Sequence, residues 1–479
     1  MLRDTIAFLL GNEERRIRRP APNTTVLSWL RSEASATGTK EGCGDGDCGA
    51  CTVVVRRLGD AAAEYRAVNS CIMLLVELDG FQLLTVEHLR AEDGTLHPVQ
   101  RAMVDRHGSQ CGFCTPGIVM SLFALRQKGE EMPDVVEALS GNLCRCTGYR
   151  SVIEAAHDCC RGRSDDAVSA RAESWRSERD AASVSFEHQA ERYVAPTSLG
   201  EVADILQEHP HATLLAGGTD LGVWLAKQDC GLPFILSVNR VAELGEIHVG
   251  ADEIVIGAAV SYDRCLPVLQ AFWPEVGAMM RRLGSPQIRN LGTIGGNLAT
   301  ASPIGDMAPA LLALDARLRL HRGASVRVLP LRDFFVGYRR TALAAGEFVT
   351  AIEIDRPASG DVLKVFKVSK RFEEDISTVC AAFHLRCDAG VVREFRAAWG
   401  GMAATPVRAH ALERSLVGRT WDQLNLEAGM ALLDVELKPL SDARGSAAYR
   451  SAVARNLLLK LYLETTGAGG PTRIALRAA

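Results

Sequence analysis

Apolar positions along the chain change their spacing twice, and each change marks a domain. Near the N-terminus they form short strand-like runs, Thr5–Leu10, Thr52–Arg57 and 82–85, with a helical segment at 26–34. That grammar predicts a small α+β domain over residues 1–85. From Pro98 to Cys160 apolar residues recur at helical spacing: Val99/Met103, Val119/Leu122/Phe123, Val135/Leu139 and Val152/Ala156. A helical bundle over 86–160 is expected. Residues 161–190 are dense in Arg, Asp, Glu, Ser and Ala with almost no large apolar side chain, which reads as a linker. Short β-rich runs and glycines fill 191–374. Across 375–479, strand runs at 377–386 and 391–399, joined by Cys387-Asp-Ala-Gly390, precede helices. The expected fold class is multidomain α+β.

Ten of the fourteen cysteines fall in the first two of these regions, eight of them in two blocks of recognisable spacing. One block reads Cys43-x4-Cys48-x2-Cys51, followed by Cys71, the spacing of a plant-type [2Fe–2S] site. The other reads Cys111-Gly-Phe-Cys114, followed by Cys144-Arg-Cys146. Two four-thiolate sites imply one-electron chemistry. Gly44, Gly46 and Gly49 fall between the first ligands, where a loop wrapping a cluster needs unobstructed backbone. Cys114-Thr-Pro116 and Cys146-Thr-Gly148 each precede a helical pattern, so helix N-termini can stabilise the cluster's negative charge. Zinc is the rival occupant, more so for the second block, whose C-x-C arm is less diagnostic. A disulfide framework is the third alternative. Cys159, Cys160, Cys230, Cys265, Cys380 and Cys387 have no ligand spacing and read as buried small hydrophobes.

Composition narrows the choice. A net charge of −4 and a pI near 6.3 create no basic field, so nothing points to nucleic acid or an anionic membrane. No run of about twenty uninterrupted apolar residues appears. The first residues read as a strand rather than an export signal, so a reducing, cytoplasmic setting is expected, where thiolates serve metals.

Two glycine-rich loops follow. Leu214-Leu-Ala-Gly-Gly-Thr-Asp-Leu-Gly222 and Gly292-Thr-Ile-Gly-Gly-Asn-Leu-Ala-Thr-Ala-Ser302 match neither the dinucleotide fingerprint nor the P-loop. Each is either a tight turn or a set of N–H groups converging on phosphate. Downstream of two iron–sulfur candidates they suggest a phosphate-bearing redox cofactor, and flavin exchanges single electrons for hydride.

The stretches Lys40-Glu-Gly-Cys-Gly-Asp-Gly-Asp-Cys-Gly-Ala-Cys51, Gly108-Ser-Gln-Cys-Gly-Phe-Cys-Thr-Pro-Gly117 and Gly141-Asn-Leu-Cys-Arg-Cys-Thr-Gly-Tyr149, with the two glycine loops, resemble one family. It is that of the iron–sulfur/FAD small subunits of bacterial xanthine dehydrogenases, within the molybdenum hydroxylases. Hydroxylases of aldehydes, nicotine or carbon monoxide share the same clusters. The resemblance implies a ferredoxin-like (β-grasp) [2Fe–2S] domain, a helical-bundle [2Fe–2S] domain, an α+β FAD-binding domain and an α+β C-terminal domain. It implies two [2Fe–2S] clusters and FAD, with NAD as acceptor. A molybdenum cofactor would sit on a large partner subunit in an (αβ)2 heterotetramer oxidising hypoxanthine and xanthine to urate.

By the same resemblance the FAD contacts are Leu214, Leu215, Ala216, Gly217, Gly218, Thr219, Asp220, Leu221, Thr293, Gly296, Asn297, Thr300, Ser302, Asp306, Lys367 and Ile376. Lys367 and Asp375 would lie beside the flavin ring, and Gln110 beside the partner's molybdopterin. Phe372 departs from the pattern, standing where related loops carry a charged residue. A subunit of another molybdenum hydroxylase, a zinc-stabilised scaffold and a free-standing NADH diaphorase are the competing readings.

Overall fold

Strand β1 (Thr5–Leu10) buries five of its six residues, so it must be covered on both faces. It pairs antiparallel with β2 (Glu13–Arg18) and parallel with β5 (Phe81–Leu84). Strands β3 (Thr52–Arg57) and β4 (Arg66–Asn69) complete a sheet of order β2-β1-β5-β3-β4. Helix α1 (Val26–Ser32) starts where the Thr25 hydroxyl accepts the Ser28 N–H, and it buries Val26, Leu27, Trp29 and Leu30. The Trp29 ring meets Phe8 of β1 edge-on at 5.3 Å. Strand β2, Glu-Glu-Arg-Arg-Ile-Arg, is an exposed, charged edge, which is why apolar spacing does not reveal it.

The structure, a computed structural model, describes residues 3–59, 64–161, 182–227 and 231–468. The chain divides into two compact units. The first is Met1–Glu243 with Ser261–Asp263 and Gly284–Thr293; the second is Leu244–Val260, Arg264–Leu283 and Ile294–Ala479.

Within the first unit, the helical region comprises α2 (Pro98–Asp105), α3 (Thr115–Gln127), α4 (Val135–Ala138) and α5 (Arg150–Cys159). Val99, Met103, Val119, Leu122, Phe123, Val135, Leu139, Val152 and Ala156 share one core, as their spacing requires. A further sheet has β6 (Val184–His188) antiparallel to β7 (Glu191–Ala195), then β9 (Phe234–Ser237) and β8 (Thr213–Leu215) in parallel order, with helices α6 (Leu199–Glu208) and α7 (Thr219–Lys227). The linker expected over 161–190 therefore ends earlier. Strand β6 lies inside it, betrayed only by the alternation of buried Val184 and Phe186. Residues 162–181 of that linker, and Cys230, lie outside the described residues.

The second unit contains an antiparallel sheet of β10 (Ile247–Val249), β11 (Glu253–Gly257), β16 (Phe348–Asp355), β12 (Arg317–Arg322) and β13 (Ser325–Pro330), in that order. A small pair, β14 (Phe335–Gly337) and β15 (Arg340–Thr341), stands apart from it. A meander of β17 (Asp361–Val368), β18 (Val379–Asp388), β19 (Val391–Gly400) and β20 (Val407–Arg408) follows. Helices His410–Leu416, Gln423–Glu436 and Ala447–Thr466 pack on it around Trp399. The β18–β19 turn places Ala389 and Gly390 at φ 49° and 77°, the two-residue hairpin geometry the sequence signals. Strand β17 pairs with β18 along its whole length, so the expected division at 374/375 falls after the first strand of this meander. The period-2 signal of β17 is diluted by lysines at 364 and 367, both held in ion pairs.

Arg450 ties this domain together. Its side chain is 2% exposed, donates to the Thr378 and Gly401 carbonyls at 2.8 Å each, and reaches Asp442 at 2.7 Å. Arg450→Met keeps the stem and removes all three donations, so stability of the second unit should fall by about 2–3 kcal/mol in denaturant unfolding. An unchanged midpoint would show the tie to be unimportant.

Candidate iron–sulfur and flavin sites

The β3–β4 ladder positions half of the first cysteine set. Cys51 leads directly into β3, Cys71 follows β4, and the pairing of Thr52 with Asn69 brings the two sulfurs to 3.2 Å. In the loop before them, the Cys43 N–H points at Cys48 Sγ and the Cys48 N–H at Cys43 Sγ, both at 3.3 Å; the Asp45 N–H reaches Cys43 Sγ at 3.5 Å. Gly44, Gly46 and Gly49 all take left-handed φ, as this inward turning of amides demands. The sulfurs thus group two and two, Cys43 with Cys48 and Cys51 with Cys71. The contact with the Cys43 thiol holds Cys48 down at about 6, and pushes Cys43 above the ordinary thiol range. Likewise the Cys71 thiol lowers Cys51 and is itself raised.

The second set converges in the same manner. Cys114 caps α3, with Thr115 and Pro116 in its first turn. Cys114 lies close enough to Cys144, and Cys146 to Cys111, for the neighbouring sulfur to raise its pKa. Burial first, then the contact with Cys144, raises Cys114 to about 12. The Thr147 N–H reaches Cys144 Sγ at 3.5 Å. Helix α5 does not begin at Cys146. Gly148 and Tyr149, at φ 64° and 67°, turn the chain first, so the helix-dipole expectation holds for Cys114 and not for Cys146. Tyr149 compensates by clamping the loop, its hydroxyl accepting the Cys144 N–H at 2.6 Å and donating to the Asn142 carbonyl at 2.9 Å.

Two-and-two grouping suits a diiron unit, in which each metal takes two thiolates. Among the described residues, no group of three or more His, Cys, Asp or Glu is set to hold a metal ion. Each set runs from buried to exposed: Cys51 and Cys71 are buried, Cys48 is half-buried and Cys43 exposed in the first, while Cys144 is buried, Cys114 half-buried and Cys111 and Cys146 exposed in the second, near exposed Gln110, Phe113 and Leu143 in sequence. Of the other cysteines described, Cys159, Cys160, Cys265 and Cys380 are buried as expected. Cys387 is exposed at the end of β18, contrary to that expectation, because the strand runs out into solvent there.

The first glycine loop is a strand–turn–helix: β8, then Ala216–Gly218, then α7. Leu214, Ala216, Gly217, Gly218, Thr219 and Leu221 are half-buried, Leu215 is fully buried and Asp220 is exposed. A Cβ on Gly217 would lie 2.1 Å from the Leu291 carbonyl, so only glycine fits. Helix α7 is anchored on the first cysteine loop. A Cβ on Gly222 would lie 2.0 Å from the Ile72 carbonyl, Val223 packs with Cys51, Cys71 and Ile72, and Lys227 pairs with Asp45 at 2.8 Å. Thr293 is buried in the same unit.

In the second unit, Gly296, Asn297 and Thr300 lie in and after helix Ile294–Ala299, followed by half-buried Ser302. Asn297 Oδ1 is buried with no hydrogen-bond partner, an acceptor in need of a donor. Asp306 is spoken for: its carboxylate takes the Lys367 ammonium at 2.6 Å and the Ser377 hydroxyl at 2.5 Å. Lys367 is equally committed, donating also to the Arg282 carbonyl at 2.8 Å. The pair braces the loop after β17 rather than offering free groups. Asp375 accepts the Arg371 and Ile376 N–H groups, and Ile376 is exposed. Arg282, which the sequence did not single out, holds the loop. It donates to the Lys367 and Phe372 carbonyls at 3.0 Å and to Ser369 Oγ at 3.3 Å, and stacks on the Phe372 ring at 4.3 Å. That contact gives Phe372 its place in a charged loop.

Family models cover these same features in order. A 2Fe-2S iron-sulfur cluster binding domain matches residues 9–76 and a [2Fe-2S] binding domain matches 85–157. The FAD binding domain in molybdopterin dehydrogenase matches 185–357, and the CO dehydrogenase flavoprotein C-terminal domain matches 364–465. These are the iron–sulfur, FAD-binding and flavoprotein C-terminal domains of the molybdenum hydroxylase family, in one chain. Xanthine dehydrogenase of Drosophila subobscura is 33% identical over 522 residues, covering 96% of this chain and 39% of that protein. The chain therefore spans well under half the length of that relative. Among solved structures, CO dehydrogenase from Oligotropha carboxidovorans is similar at TM-score 0.54 and 28% identity, covering 58% of this chain and 98% of that one. Quinoline 2-oxidoreductase from Pseudomonas putida 86 matches at TM-score 0.53 and 28% identity, covering 59% and 99%. Among the described residues no helix is long and apolar enough to cross a membrane.

Glu77 touches the first glycine loop. Its carboxylate accepts the Leu74 N–H at 2.9 Å and Asn239 Nδ2 at 3.3 Å, and a Cβ on Gly218 would lie 3.1 Å from Oε2. Burial pushes its pKa up to about 7. A raised carboxyl binds more protons folded than unfolded, so its contribution is lost as pH rises through 7. Glu77→Gln should therefore stabilise the first unit at pH 8 by roughly 2 kcal/mol and leave it unchanged at pH 4.5, measured by urea unfolding. Equal effects at both values would contradict the buried-carboxyl account. For the loop after β17, Arg282→Met should speed amide hydrogen exchange over 369–376 while β18 stays protected. Unaltered exchange there would show that Arg282 does not hold it.

Proposed function

We propose that this chain is the electron-transfer and NAD-reducing subunit of a xanthine dehydrogenase, receiving electrons from a molybdenum cofactor on a partner polypeptide. Cys43, Cys48, Cys51 and Cys71 hold one [2Fe–2S] cluster, and Cys111, Cys114, Cys144 and Cys146 the other. FAD contacts are the sixteen residues implied by the family pattern, with Asn297 Oδ1 offering an unused acceptor and Asp306 with Lys367 bracing the loop at the ring. When bound, the clusters pass single electrons and the flavin exchanges them for a hydride with NAD. The chain's own part is to hold these groups, aim amides at sulfur and exclude water. The proposed domains run 1–85, 86–160, then flavin and C-terminal parts divided before Asp361.

The observation that carries this reading is coverage. The xanthine dehydrogenase relative aligns along 96% of the chain, through both cysteine sets and both glycine loops. The CO dehydrogenase and quinoline oxidoreductase chains are almost wholly accounted for by 58–59% of it. Phe113, Leu143 and Gln110 are exposed near Cys111 and Cys146 in the sequence, and a partner would cover them. A cytoplasmic (αβ)2 heterotetramer is the assembly this reading expects.

Co-expression with a molybdopterin-binding large subunit provides the test. The complex should reduce NAD with xanthine. Cys111→Ser should abolish that reaction while NADH still reduces dyes through the flavin. Activity with carbon monoxide or a quinoline in place of xanthine would assign the chain to another molybdenum hydroxylase. Xanthine-driven NADH formation surviving in Cys111→Ser would overturn the electron route.

A further inference from the structure

Two polar side chains far apart in sequence meet between the cysteine loops. Asn142 and Gln287 are 2% and 0% exposed. Asn142 Nδ2 donates to the Gly49 carbonyl at 3.1 Å and to Thr52 Oγ1 at 3.2 Å; its Oδ1 accepts from Ser121 Oγ at 2.6 Å and from Gln287 Nε2 at 3.1 Å. Gln287 Nε2 also faces Ser121 Oγ at 3.1 Å and Thr52 Oγ1 at 3.3 Å. Each partner belongs to one cysteine set. Gly49 lies between Cys48 and Cys51, Thr52 follows Cys51, Ser121 sits on the helix that Cys114 caps, and Asn142 closely precedes Cys144.

The backbones are in direct contact at the same place. The Leu143 N–H donates to the Cys48 carbonyl at 2.9 Å, joining the residue before Cys144 to a ligand of the other set. A Cβ on Gly49 would lie 1.9 Å from the Gly141 carbonyl, one on Gly117 would lie 2.2 Å from the Gly49 carbonyl, and one on Gly141 would lie 2.1 Å from Gln287 Oε1. Residues next to Gln287 grip both domains as well. Arg289, 3% exposed, pairs with Glu137 at 2.9 Å; Asn290 Nδ2 donates to the Ala67 carbonyl at 2.8 Å; and Ile288 packs with Cys51 and Cys71.

Apolar side chains could hold two domains together equally well, since buried amides gain little net energy over well-packed hydrophobes. What the network adds is direction: Asn142 meets all four of its partners in one register only, while Gln287 Oε1 stays buried without a partner. We propose that Asn142 and Gln287 are positioning residues that fix the separation of the two iron–sulfur sites, on which electron passage between them depends steeply. This rests on the cluster assignment above.

The test uses the full cluster-bearing chain, fully reduced, and reads the magnetic splitting between the two clusters by EPR. Gln287→Met removes the donor at nearly constant shape, and Gln287→Glu turns acceptors toward acceptors. Both should narrow the inter-cluster splitting while iron and sulfide content and the g values of each cluster stay at the wild-type level. Unchanged splitting in both variants overturns the inference. Loss of one cluster overturns it too, since the pair would then retain a cluster rather than space two. If the wild-type chain shows no pair of iron–sulfur signals, the cluster assignment fails instead.

Discussion

Eight sulfur atoms drawn into close pairs are the constraint around which the first unit is organised. Thiolates brought this near to one another repel unless metal or proton lies between them; in the first set a hydrogen bond within each pair lowers one thiol and raises the other. The chain stabilises the arrangement with backbone amides rather than charged side chains: Cys43, Asp45, Cys48 and Thr147 all direct N–H groups at sulfur. Such donors favour the cluster's negative charge and help set its potential. Packing then serves this geometry, down to the glycines that let one cysteine loop touch the other.

The two sets are not equivalent, and the difference suits a relay. The Cys51/Cys71 pair is buried against Ile72, Val223 and Ile288, inside the unit that also carries the first glycine loop. The Cys111/Cys146 pair is exposed, near apolar Phe113 and Leu143 in sequence. The first set thus packs on the helix that follows the first glycine loop, while two of the second set's sulfurs, and Cys43 of the first, reach the surface. The same division matches the order of the family models along the chain.

Much of this was legible in the sequence because it is local. Ligand spacing in Cys43-x4-Cys48-x2-Cys51 is set by the reach of a short loop, and the helical core of α2–α5 follows from apolar spacing. What stayed hidden depends on distance in sequence or on charge. Strand β2 is an edge of glutamates and arginines, and β6 carries just two buried apolar residues in charged surroundings. Gln287 meets Asn142 across 145 positions, and Arg282 reaches Phe372 across ninety, so no window along the chain shows either contact. Asp306 and Lys367 came to notice through the family resemblance, and their mutual ion pair appears only in three dimensions.

The account stands most directly on what the purified chain contains. Iron and acid-labile sulfide should be present in equal amounts, enough for two diiron clusters per chain, and partial reduction should develop two distinct rhombic EPR signals. A colourless chain holding zinc or no metal at the eight cysteines would contradict it.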